Sequence, residues 1–201
     1  MQRITALDPE TTTGKSKELF NAVQSKLGMV PNMMRTMGNS PAVLNGYLSF
    51  SVALGESSIG AKLGGLITLT VANANSCNDC NAAHSYIGEK LIGIDTETIQ
   101  LAKEGKAKDA KIQAALSFAR TLVAKKGNVS DADLSTLKNT GFAEVAIREI
   151  IAHTTLNIFT NYLNTASSTL VDFPEARFFK TNAEISPQLY RDTIGFGAAE
   201  T

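Results

Sequence analysis

Both cysteines of this chain and one of its two histidines fall within eight consecutive positions, Cys77 to His84. Two thiols spaced Cys-x-x-Cys, with an imidazole four residues after the second, can cycle between dithiol and disulfide. The nucleophile in that chemistry is a thiolate. A cysteine at a helix N-terminus, beside a histidine or in a Cys-x-x-Cys pair has a lowered pKa. Asn75-Ser76 can break the preceding helix, which leaves Cys77 and Cys80 in the first turn of the next. Residues four apart share a helix face, so His84 lies one turn below Cys80 and can exchange a proton with it, directly or through water. Cys77 is close enough to trap an oxidised Cys80 as an intramolecular disulfide. One segment then holds the nucleophile, the resolving thiol and the base for reducing a peroxide.

Two other uses of these residues stay open. The cysteines can be small buried hydrophobes, with His84 a core histidine whose hydrogen bonds are met. A metal can bind Cys-x2-Cys-x3-His, but that supplies three ligands. The chain has no further cysteine to complete a tetrahedral structural site, so His153 or a carboxylate would be needed.

The elements that must position this segment read as helices. Leu19, Phe20, Val23 and Leu27 are at helical spacing, and Gly28 ends their helix. A short helix after Pro31 carries Met33, Met34 and Met37, read as core packing ahead of an adaptable binding surface. Ser40-Pro41, a hydroxyl cap followed by Pro, opens the helix that stops near Gly55. Gly60 to about Asn75 has Leu63, Leu66, Ile67 and Val71 on one buried face. Beyond the cysteines, Ala82, Ala83, Ile87 and Leu91 continue a helical stripe up to Gly93. Asp95, Asp109 and Ser130 are expected helix starts, the last resembling a capping box. A long helix is expected from about Ala143 to Leu170, stopped by Asp172-Phe173-Pro174 and followed by an irregular tail. No hairpin turn separates alternating strands. The reading is one all-α domain over residues 1–201, with eight or nine helices and no linker.

Laying Gly65–Asn81 over Glu149–Thr165 pairs Ile67 with Ile151, Thr70 with Thr154 and Asn73 with Asn157. Cys77 then falls on Asn161 and Cys80 on Asn164, which admits an internal duplication of a helical unit. His153, Asn157, Asn161 and Asn164 form a polar stripe on the long helix. It can line a pocket opposite the thiols, bond between subunits, or satisfy backbone groups at helix crossings.

Composition narrows the function classes. The 201 residues are 43% apolar and 19% charged, enough for a packed core and against global disorder. Net charge is zero and tryptophan is absent, which argues against nucleic acid as a partner. The first residues lack the apolar run of a signal peptide, and no stretch approaches a membrane span, so a cytoplasmic protein is expected. In that reducing compartment a Cys-x-x-Cys pair is catalytic or metal-binding more often than a structural staple. No Gly-x-Gly-x-x-Gly fingerprint points to a bound flavin or nicotinamide.

Leu63 to His84, with Ala53-Leu54-Gly55-Glu56 and Ile150 to Asn164, resembles the carboxymuconolactone decarboxylase family, and within it the alkylhydroperoxidase D-like branch. That branch is marked by Glu, eleven residues, Cys-x-x-Cys, three residues and His. The resemblance covers about residues 20–175. It implies an all-α fold, trimers or hexamers, and thiol-dependent peroxidase or disulfide reductase activity without bound metal or haem. The related decarboxylase branch generally lacks the cysteine pair. By the resemblance, Cys80 is the peroxide-attacking thiolate, Cys77 the resolving thiol and His84 the proton relay. The glutamate position falls on Gly65. Glu56 is the first candidate to replace it, Glu149 the second and Glu89 the third. The expected function is reduction of hydroperoxides in antioxidant defence. No bound cofactor is expected, and a thioredoxin-like or lipoyl-type reductant would act from outside. The alternative is a redox-sensing or disulfide-exchanging oligomer with little peroxide turnover.

Overall fold

The computed structural model describes residues 1–172, the side chains of residues 78 and 79 excepted. Among the described residues there are nine α-helices and no strand. They are α1 (Gly14–Leu27), α2 (Asn32–Met37), α3 (Pro41–Gly55), α4 (Gly60–Ala74), α5 (Asn78–Ile87), α6 (Thr96–Lys103), α7 (Ala110–Ala124), α8 (Asp131–Asn139) and α9 (Glu144–Ser167). The all-α reading holds.

Helix α4 is the centre, because residues 63–72 are buried on every face. A helix that is apolar or small all round must be surrounded, and α4 packs against α5, α6, α7 and α9. Its Leu66, Ile67 and Leu69 join Leu116 of α7, Leu137 of α8 and Ile150 of α9 in the main core. A second cluster joins Phe20 and Val23 of α1, Met34 and Met37 of α2, Leu44 of α3 and Ile87 of α5. The two cysteines belong to neither and form a small cluster of their own with Ala72.

Side-chain caps set four of the nine helix starts, at the expected residues. Ser40 Oγ accepts from Val43 N–H at 3.4 Å, Asp95 Oδ1 from Thr98 N–H at 2.9 Å and Asp109 Oδ1 from Ile112 N–H at 2.8 Å. Ser130 and Asp133 complete a reciprocal capping box.

Two features differ from the sequence reading. The stripe through Ile87 and Leu91 is not one α-helix: Gly88–Ile92 is a π turn, closed by Ile94 N–H on Gly88 O at 2.8 Å. Helix α9 ends at Ser167, short of Leu170 and of the proline, because Ser168 turns left-handed (φ 47°). The chain then crosses to α2, where Asp172 Oδ2 and the Leu170 carbonyl accept from the backbone and side-chain nitrogens of Asn32 at 2.8 and 3.2 Å. The expected tail beyond Pro174 lies outside the described residues. Among those described, no helix is long and apolar enough to cross a membrane.

Candidate active site

The break between α4 and α5 sets up the cysteines. Helix α4 closes at Ala74, Ser76 takes a left-handed backbone (φ 54°), and Cys77 N–H bonds back to Ala72 O at 2.9 Å. Cys77 becomes the N-cap of α5 and Cys80 its third residue. This agrees with the expectation from Asn75-Ser76, and it sets both sulfurs at the positive end of a helix dipole. Both cysteines are buried, and a disulfide joins them with a Cα–Cα separation of 5.3 Å.

A cavity of about 160 Å³ opens where α4 and α5 face α9 and the α1–α3 cluster. Cys80 and His84 line it and Cys77 does not. From α9 come His153, Asn157, Thr160 and Asn164. Met33, Met34, Leu54 and Leu156 make much of the remainder apolar. The methionine cluster is therefore divided: Met37 is core, while Met33 and Met34 also form cavity wall.

The polar stripe of α9 serves both helix crossings and the cavity. Asn164 Nδ2 donates toward Cys80 Sγ at 3.5 Å and lies 3.6 Å from Met33 Sδ. Asn157 Nδ2 donates to Thr68 Oγ1 at 3.0 Å and to His153 O at 2.8 Å. Asn161, completely buried, accepts from Asn75 Nδ2 at 3.0 Å.

Solved structures share this arrangement of helices. An uncharacterized peroxidase-related protein from Silicibacter sp. TM1040 is 26% identical, with a TM-score of 0.71, over 83% of this chain and 91% of its own. The alkylhydroperoxidase AhpD core of an uncharacterized peroxidase-related protein from Ralstonia eutropha JMP134 is 21% identical, with a TM-score of 0.72, over 89% and 94%. This chain has the alkylhydroperoxidase D-like fold. The debrominase Bmp8, as a cysteine-to-alanine variant in complex with 2,3,4-tribromopyrrole, is 20% identical with a TM-score of 0.71, over 84% and 91%. No protein-family model and no curated protein matches the sequence.

Within this alkylhydroperoxidase D-like fold the carboxylates are arranged unlike the sequence expectation. Gly65 is buried away from the cavity wall, and a Cβ there would meet Ile92 Cδ1 at 3.1 Å and Ile94 Cδ1 at 3.6 Å. Glu56, the first candidate replacement, is the exposed C-cap of α3 and does not line the cavity. Glu89 is exposed and pairs with Lys90. Glu149 is tied in more closely: its carboxylate accepts from Ser58 N–H at 3.0 Å and from Ser58 Oγ. Among the described residues, Asp172 is the carboxylate that lines the cavity, and burial raises its pKa. The sequence reading took it only as part of the stop after the long helix.

The two imidazoles sit on different walls. Burial lowers the pKa of His84 to about 4, so at pH 7 it is neutral and able to accept a proton. Burial also lowers that of His153, against opposing effects of the Glu149 charge and the Leu54 carbonyl. His153 Nε2 is 3.0 Å from Ser57 Oγ, a contact across 96 residues that no local pattern signals. Among the described residues, no group of three or more His, Cys, Asp or Glu is placed to hold a metal ion.

Proposed function

We propose that this protein is a thiol-dependent peroxidase that reduces hydroperoxides through a Cys77–Cys80 dithiol/disulfide cycle. The observation that supports this most is the division of labour between the two sulfurs. Cys80 lines the cavity beside His84, while Cys77 sits behind it at bonding distance. In the reduced protein His84 takes the Cys80 proton. The α5 N-terminus and the Asn164 amide favour the resulting thiolate. The thiolate attacks the terminal oxygen of ROOH: the S–O bond forms, the O–O bond breaks, and RO⁻ leaves to take up a proton as ROH. The Cys77 sulfur then displaces water from the Cys80 sulfenic acid, forming the disulfide. An outside dithiol of thioredoxin-like or lipoyl type returns two electrons and two protons, and no bound cofactor is needed. A cavity of about 150 Å³ accepts benzene, so compact organic hydroperoxides suit this one.

The protein is read as cytoplasmic, with no nucleic-acid or membrane partner. Assembly into trimers or hexamers is part of the proposal, supported by exposed Phe50 on α3 and exposed Phe159 and Tyr162 on α9. The test is hydroperoxide consumption coupled to a dithiol reductant. Cys80→Ser should abolish turnover, and Cys77→Ser should stall as a sulfenic acid or mixed disulfide. Undiminished turnover by Cys80→Ser would remove the role assigned to that thiol. The glycine at position 65 favours a second reading, a redox-sensing or disulfide-exchanging oligomer. Disulfide exchange much faster than peroxide loss, with a change in oligomer size on oxidation, would select it.

A further inference from the structure

Peroxide reduction needs two proton transfers at separate places, one from the attacking thiol and one to the departing oxygen. His84, one turn below Cys80 on α5, accounts for the first. The second is unassigned, and the structure offers a group for it on the opposite wall. We infer that His153 is the acid that protonates the leaving oxygen, resupplied from the surface through Ser57, and this rests on the peroxidase reading.

The geometry has three parts. His153 is buried and lines the same cavity as Cys80 and His84. Its Nε2 meets the hydroxyl of Ser57, which is partly exposed in the turn between α3 and α4, so the ring bridges cavity and surface. The turn and the ring are both anchored to α9. Glu149, one helical turn before His153, holds Ser58 through its backbone N–H and its hydroxyl, and Asn157, one turn after, donates to the His153 carbonyl. Glu149 is thus a positioning residue for Ser57. Position 65, where the resemblance puts a carboxylate, faces Ile92 and Ile94 instead.

The proton balance closes with a neutral ring. As RO⁻ departs, it takes the proton from one ring nitrogen of His153. The Ser57 hydroxyl gives its proton to Nε2, and surface water restores that proton to Ser57. The ring ends as the other tautomer, and His84 returns the Cys80 proton to solvent, matching the one drawn in through Ser57, so no charge is left in the cavity. Cys80 sulfur is the atom oxidised, and the peroxide oxygen pair is reduced.

Leaving-group chemistry tests this. An alkoxide leaves with difficulty unless protonated, whereas the acetate released from peracetic acid needs no proton. In single-turnover oxidation of the reduced full-length protein, His153→Asn should slow reaction with tert-butyl hydroperoxide about 100-fold, within the range of general acid catalysis. Its reaction with peracetic acid should stay within about threefold of the parent. Ser57→Ala, in a partly exposed turn where folding is not at stake, should show the same selectivity at about tenfold. Equal slowing with both oxidants, or slowing with neither, overturns the assignment while leaving the peroxidase reading intact. If the unmodified protein reacts with neither oxidant faster than a free thiol does, the peroxidase reading falls and takes the inference with it.

Discussion

His84 is uncharged at pH 7, so in the proposed cycle it can accept the Cys80 proton but supplies no positive charge until it has taken it. Thiolate stabilisation before that moment falls to the α5 N-terminus and to the Asn164 amide, 3.5 Å from Cys80 Sγ. The same lowered pKa has a cost in acid. Between about 6.5, the ordinary histidine value, and about 4, the unfolded chain binds a proton that the folded protein does not. Stability should therefore fall as pH drops through that window and level off below it, by on the order of 2 kcal/mol after discounting for the cavity-facing part of the ring. His153 contributes in the same direction. Urea midpoints measured from pH 7.5 to 4 should show a shallower slope in His84→Asn than in the parent; an identical slope would contradict the buried neutral ring. The placement of Cys77, Cys80 and His84 at the start of one helix was legible in the sequence because it is local, within one helical turn or two. The contact of Asn164 with Cys80 was not, because α9 spacing reveals a polar stripe but not which helix it faces.

At the scale of elements, the helix starts were readable because a cap is settled by three or four neighbouring residues, as at Asp95, Asp109 and Ser130. The end of α9 and the π turn at Gly88–Ile92 were not, because tertiary contacts decide them: Asp172 reaches α2, and Gly88 packs against Ile94 and Ile99. The setting of Gly65 on α4 gives a clear expectation. Restoring an acid there by Gly65→Glu puts a carboxylate between Ile92 and Ile94 without a partner. It should cost about 3 kcal/mol or more and leave peroxide turnover no faster. Gly65→Ala should be close to neutral, since the helix gains about 0.5–1 kcal/mol while the tip of Ile92 gives way. Thermal unfolding of both variants measures this, and a stable, more active Gly65→Glu protein would mean that position 65 does reach the cavity.

For the whole molecule, composition and periodicity were enough to read an all-helical chain, but not the cavity, whose walls run from Leu27 to Asp172 and meet only once the helices have packed. The thiols lie outside the two main hydrophobic clusters, since Cys77 and Cys80 form a small group with Ala72 alone. The bond between them spans a sequence separation of 3. Closing so short a loop removes little freedom from the unfolded chain, about 2 kcal/mol in the chain-entropy picture. Reducing it should lower the melting temperature by only a few degrees, at roughly 2–4 °C per kcal/mol for a chain of this size. Calorimetry with and without a dithiol reductant checks the figure, and a drop of 20 °C would show that the disulfide is a structural staple. In the proposed cycle, a bond that matters so little to the scaffold can be opened and remade at every turnover while the framework around it stays folded.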